Sequence, residues 1–300
     1  MMKSIYSKVF IIGFLLISQV VSANSVVPEP FRGFDDSSKY VIKYEDITAL
    51  YKTVVVDVGR STRTVAKSTQ AKTGTMMKSK VKRTTADEAN RFYFETFEDN
   101  EKGTQLLKTI KSSLEQLPSE VALEYFSRDE QLAYWLNLYN ITLLNEVVEI
   151  YPKSNLKKFL VGKKSILSKP LLEVAGVQLS LNDIQFNILK NNYNNPLVMY
   201  GLYQGNIGGP NIRRSAYVGS DVWRALTNNA IEFINSNRGT YSDSKKPDVF
   251  QVSSLYDRNR AYFPDFNADL SAHLMEYLEG YERSRLSLAK TLKPGIDDWT

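Results

Sequence analysis

Apolar residues recur at helical spacing along most of this chain. Ile47, Leu50, Tyr51 and Val54 predict a helix within Tyr40–Val58, with Val54-Val55-Val56 leaving its end open between helix and strand. Residues 24–38, which carry Pro28, Pro30 and Gly33, read as an irregular lead-in. Leu106, Leu107, Ile110 and Leu114 predict an amphipathic helix that stops before Pro118. Ser127-Arg128-Asp129-Glu130 has the form of a capping box: the Ser127 hydroxyl accepts from the Glu130 N–H, and the Glu130 carboxylate reaches back to the Ser127 N–H. Behind it Leu132, Trp135, Leu136, Tyr139 and Leu143 share one face until Pro152. A second box, Ser180-Leu181-Asn182-Asp183, opens a helix carrying Ile184, Ile188 and Leu189.

The run Pro196–Leu202 is almost unbroken in its apolarity and predicts a buried strand, followed by a loop at Gly205–Pro210. Ser220 to Asn237 is expected to be a helix with Trp223, Leu226, Ala230, Phe233 and Ile234 inward and Gly239 beyond its end. Phe250–Leu255 predicts a short strand. Leu270, Leu274, Tyr277, Leu278 and Tyr281 describe a final helix before Pro294. The sum is an α+β protein: a helix-rich single domain with a small sheet over 87–300, preceded by an N-terminal helical arm and basic linker over 24–86.

The first 23 residues read differently. Lys3 and Lys8 supply a positive start, Val9–Leu16 an apolar run extended by Ile17, Val20 and Val21, and Val21-Ser22-Ala23 a small-residue cleavage pattern. Interrupted by Ser18 and Gln19, the run falls short of the roughly 20 residues of a spanning helix. A signal peptide cleaved after Ala23 is therefore expected over an uncleaved anchor, with a periplasmic or secreted product and no transmembrane segment after cleavage.

Composition narrows the chemistry. Apolar residues at 43% and charged residues at 24% are a globular balance that argues against wholesale disorder. Cysteine is absent, which excludes disulfides, thiolate catalysis and Cys-ligated metal centres. One histidine, His273, excludes sites built on several imidazoles. The net charge of +5 drops once Lys3 and Lys8 are removed, leaving 36 basic and 33 acidic residues, too small an excess to suggest a nucleic-acid partner. Eight of the basic residues lie between Arg60 and Arg83 with no acid among them. That stretch reads as a solvated linker, with contact to anionic polymer or lipid headgroups as the functional alternative.

The candidates for chemistry each have an ordinary structural role beside them. His273 has the titration range of a general base but lies between Leu270 and Leu274 on a helix, as a packing histidine would. No Gly-x-Ser-x-Gly elbow exists to serve it with a nucleophile. Asp183, Glu130, Asp221 and Asp265 are carboxylates available to a hydrolase, two of them already assigned to caps. Asn137 and Asn140 stand mid-helix on one face, where asparagine is disfavoured; they either clamp loop backbone near Gly205–Pro210 or line a cleft. Gly205-Asn206-Ile207-Gly208-Gly209 lacks the Gly-Lys-Ser/Thr of a phosphate loop. No cofactor or metal is expected.

The segment Ser127-Arg128-Asp129-Glu130-Gln131-Leu132-Ala133-Tyr134-Trp135-Leu136-Asn137-Leu138-Tyr139-Asn140 resembles the signature helix of the domain of unknown function (DUF) 547 family. Tyr151-Pro152-Lys153-Ser154, Gly176–Ile184, Asn195–Ile212 and Ser215–Asn235 follow in the family's order, so the resemblance covers about residues 90–282. It implies a papain-like or transglutaminase-like cysteine-enzyme scaffold. The chain departs from the family where that chemistry would sit: Gln185-Phe186 replaces Glu-His, Leu197 and Met199 replace Arg and His, and Gln204 and Gly209 stand at the two cysteine positions. The resemblance thus implies a non-catalytic member that binds a peptide, a glycan or an envelope protein. The residues nominated for contact are Asn137, Tyr139, Asn140, Asp183, Gln204, Gly205, Asn206, Gly209, Pro210 and Arg213. A carboxylate-dependent hydrolase acting on cell-envelope polymers is the alternative reading.

Overall fold

Residues 26–61, 63, 89–151, 156–162, 164–297 and 299 are described by the computed structural model. The segment expected to be a signal peptide, most of the basic stretch and Pro152 lie outside the described residues. Helix α1 spans Glu45–Val54 and buries Ile47, Leu50, Tyr51 and Val54. It ends where β-branched residues accumulate, and β1 (Val55–Val56) pairs antiparallel with β2 (Arg91–Phe92), Val55 opposite Phe92. Both readings of the Val54–Val56 run are thus realised in succession.

Helix α2 spans Glu101–Glu120 and is capped by the Asn100 side chain, which accepts from the Gly103 N–H at 3.0 Å. It buries Leu107, Ile110 and Leu114, and it runs through Pro118 rather than stopping before it. A proline there has no N–H to give the Leu114 carbonyl. That carbonyl accepts instead from the Tyr134 hydroxyl at 2.9 Å, so the missing bond is replaced from a neighbouring helix.

That neighbour, α3 (Arg128–Ile150), is buried on every side from Glu130 to Asn145, not on one face alone. A helix enclosed on every side lies in the middle of a core, and the polar side chains it buries there, Asn137 and Asn140 among them, need partners inside. Its cap is half of the expected box. Ser127 Oγ accepts from the Glu130 N–H at 3.3 Å, but the Glu130 carboxylate accepts from the backbone N–H groups of Ile42 and Gly219 and so ties two distant segments to the helix start.

After α4 (Leu156–Leu160) comes a hairpin, β3 (Leu172–Val174) with β4 (Val177–Leu179). Its two-residue turn has φ +48° at Ala175 and +76° at Gly176, the positive pair that matches strand twist. The Ser180 box forms in both directions: Ser180 Oγ accepts from the Asp183 N–H at 3.1 Å, and the Asp183 carboxylate accepts from the Ser180 N–H at 2.9 Å. It opens a π-helical stretch, Asp183–Leu189, that continues into α5 (Lys190–Tyr193).

The apolar run at Pro196–Gly201 is a 3₁₀ helix, not a strand. Asn195 caps it by accepting from the Leu197 N–H at 2.9 Å, and Pro196 presets a helical φ at its first position. Leu197 to Gly201 are all buried, and a run enclosed on all sides has no period to distinguish strand from helix. Helix α6 covers Val222–Ile234, shorter at both ends than the pattern suggested, with Trp223 only partly buried and its indole N–H on Asp129 Oδ1 at 2.8 Å.

The C-terminal sheet runs β5 (Thr240–Ser242), β6 (Val249–Ser253) and, after α7 (Ser254–Arg258), α8 (Phe266–Tyr277) and α9 (Gly280–Leu288), β7 (Thr291–Ile296). Strands β5 and β6 are antiparallel, β6 and β7 parallel. The single final helix of the pattern is two, separated at Gly280 with φ +56°, and Tyr281 is 64% exposed. Pro294 sits within β7, an edge strand, where the absent N–H is tolerated.

The fold is helix-rich α+β with small sheets. One contiguous core joins Val27, Phe31 and Ile47 of the N-terminal segment to α3, α6 and Leu292. Among the described residues no helix is long and apolar enough to cross a membrane.

Candidate functional site

The two mid-helix asparagines of α3 are buried clamps. Asn137 donates to the Tyr217 carbonyl at 2.8 Å and accepts from the Tyr217 N–H at 2.9 Å. One turn on, Asn140 donates to the Gly201 carbonyl at 2.9 Å and accepts from the Tyr203 N–H at 2.8 Å. The amide imitates a strand partner for backbone that has none. Tyr139 between them is buried, and that burial raises its hydroxyl pKa against the opposing charge of Arg258.

The loop those clamps hold is closely packed. Gly205 has φ +71°, and a Cβ there would lie 2.7 Å from Leu160 Cδ1. A Cβ on Gly209 would come within 2.7 Å of Gln204 Cγ, so the two positions are in direct contact. The Gly209 carbonyl accepts from the fully buried Arg238, whose other arm holds Glu232. Asn206 is buried and donates to the Gln204 carbonyl at 3.2 Å, and Pro210 is buried beside it. Asp183 is engaged with Ser180 and with Asn187 Nδ2 at 2.7 Å. Arg213 lies away from this loop's mouth, its guanidinium 4.9 Å over the Tyr217 ring, in a separate polar cleft with Asp57, Asn90 and Asn211.

A cleft of about 250 Å³ does open beside Gln204. Leu160, Val161, Leu167 and Phe186 give it an apolar wall. Ser168, Asn182, Gln185, Gln204 and Asn259 give it amides and a hydroxyl, and Arg258 a single cation. The polar floor is fixed by its own bonds: Gln185 Nε2 donates to Asn259 Oδ1 at 2.8 Å, Asn259 Nδ2 to the Leu255 carbonyl at 2.9 Å, and Asn182 Nδ2 to Ser168 Oγ at 2.9 Å. Gln204 Nε2 turns back to the Leu202 carbonyl at 2.9 Å. Of the ten nominated residues, Gln204 lines this cleft. Gln185 and Phe186, noted in the sequence only as departures from a family pattern, line it too. Arg258 and Asn259 were missed, since nothing around an Asp-Arg-Asn-Arg run marks it as a site.

The remaining candidates have other work. Glu130 joins backbone segments, and burial raises its pKa. Asp221 pairs with Arg224, and Asp265 caps α8 by accepting from the Ala268 N–H at 3.1 Å. His273 is enclosed by aromatic rings, its Nε2 2.8 Å from the Tyr200 hydroxyl, and burial pushes its pKa down to about 4.

A helix-rich α+β domain built on one enclosed helix, with a small amide-lined cleft, is the class these features define. Residues 123–234 match the family model described as "Protein of unknown function, DUF547". This segment runs from the turn before α3 to the end of α6 and contains Gln185, Phe186 and Gln204, while Arg258 and Asn259 lie beyond it. No curated protein and no solved structure matches the chain.

Asn140→Ala leaves a buried carbonyl and a buried N–H without partners and should lower stability by about 2–4 kcal/mol, read by urea unfolding. His273 is held neutral by folding, so its contribution is complete above its unfolded pKa of 6.5 and declines as pH falls from there towards about 4. Between pH 7.5 and pH 5 this source should remove about 2 kcal/mol from the wild type. Urea midpoints for His273→Phe should lack that component; an equal pH dependence in both proteins would assign it elsewhere.

Proposed function

We propose that this protein is exported and acts as a non-catalytic binding module, its site the cleft between Phe186, Gln204 and Arg258, for a peptide, a glycan or a protein partner of the cell envelope. The observation that carries this reading is the cleft's lining. The positions where the resembled family has a histidine and its first cysteine meet there as Phe186 and Gln204, and the wall otherwise offers amides, hydroxyls, aliphatic carbon and one guanidinium. Such a surface orients a ligand through apolar contact and a few placed polar groups. Export rests on the Lys3–Ala23 pattern. The rival hydrolase needs two carboxyls roughly 5–10 Å apart across the scissile bond. Asp183, Asp221 and Asp265 instead sit in caps and an ion pair, and Glu130 holds distant backbone.

The test is a binding screen of the mature protein by NMR, with short peptides and soluble envelope glycans, followed by mass spectrometry of the same mixtures. Shifts should centre on Phe186 and Gln204, with the ligands recovered intact. Val161→Trp, which places an indole in the cleft mouth, should abolish them while melting like the wild type. Protein recovered from outside the cytoplasm should begin at Asn24. Cleavage of a ligand that persists through repurification and disappears in Asp183→Asn would replace this reading with hydrolysis.

A further inference from the structure

Arg258 is the charged group in the wall of the cleft, and its environment is specific. One third of its side chain reaches solvent. Its guanidinium makes no hydrogen bond among the described residues, and its ionic neighbour Asp297 stands 3.9 Å away. Asp297 is already bound to Lys157 at 2.9 Å, which divides its charge between two cations. A guanidinium is a planar fork that matches a carboxylate in a bidentate pair, and it keeps its charge when partly buried. Here its neighbours are the distant Asp297 carboxylate and the Trp299 ring, whose centroid lies 5.9 Å from the guanidinium carbon, and the cleft it lines has no acid in its lining.

The rest of the cleft suits what such a carboxylate would carry. Phe186, Leu160 and Leu167 give the same cleft an apolar wall. The cleft is small, with about 250 Å³ available. The floor amides are tied to each other and to backbone, so the cleft is formed before a ligand arrives.

We propose that the cleft takes a free carboxylate borne on an apolar residue, the chemistry of a peptide C-terminus or of a free acylated amino acid, with Arg258 pairing the carboxylate and Phe186 packing the side chain. This rests on the cleft being a binding site. Calorimetry with N-acetyl-L-leucine, its amide, and a hexapeptide ending in leucine as free acid or amide tests it. Both acids should bind more tightly than the corresponding amides by roughly 10- to 100-fold. Arg258→Gln should remove that preference and leave the amides unaffected, Arg258→Lys should retain part of it, and Phe186→Ala should weaken acid and amide alike. Binding of the hexapeptide acid identifies a peptide C-terminus as the source, and binding of N-acetyl-leucine alone identifies a free small acid. Near-UV circular dichroism verifies that each variant is folded. Equal binding of acid and amide, both lost in Val161→Trp, overturns the carboxylate assignment while leaving a binding cleft. Undiminished acid binding in folded Arg258→Gln, or no binding of any probe to the wild type, also overturns it.

Discussion

Irregular backbone can cross the middle of a protein only if its N–H and C=O groups are matched, and here side-chain amides on helices do the matching. Asn137 and Asn140 hold both polar groups of the chain passing α3 at Tyr217 and at Gly201–Tyr203. Asn229 on α6 adds the carbonyls of Tyr200 and Asn211. A side-chain amide carries a donor and an acceptor at the spacing of a peptide group, so two helices present to the loop what a sheet would present to a strand. Without these pairs the 3₁₀ segment and the loop after it would carry buried polar atoms at a cost of about 1–3 kcal/mol each.

The same constraint positions the cleft. Gln204 follows directly on the segment Asn140 holds, and Phe186 stands on the π-helical stretch that the Ser180–Asp183 box initiates. Within that π-helical stretch Gln185 reaches Asn259 just beyond α7, and Gln185 and Phe186 both line the cleft. The site is therefore assembled from three separate supports, two inside the segment that the DUF547 model matches and one beyond it.

What the sequence disclosed follows from what is local. Helix positions, the Ser127 and Ser180 caps and the oddity of two mid-helix asparagines were all visible, because each depends on neighbours three or four residues away. The asparagines' partners were not, since Tyr217 and Gly201 are far along the chain. Pro118 misled because its lost bond is made good by Tyr134, a contact with no trace in local spacing. Pro196–Gly201 misled because complete burial erases periodicity. The cation of the cleft was illegible for a third reason: Arg258 closes a short helix after a strand, and only the fold brings it into one cleft with Phe186.

The contact between positions 204 and 209 limits how this loop can vary. A Cβ at 209 would lie 2.7 Å from Gln204 Cγ and 2.8 Å from Gln204 Cβ, and the second atom stays in place whatever side chain replaces the glutamine. Trimming 204 alone therefore does not open 209 to a side chain. A larger residue there requires the backbone of the turn to move, and that backbone is held by the Arg238 guanidinium on the Gly209 carbonyl.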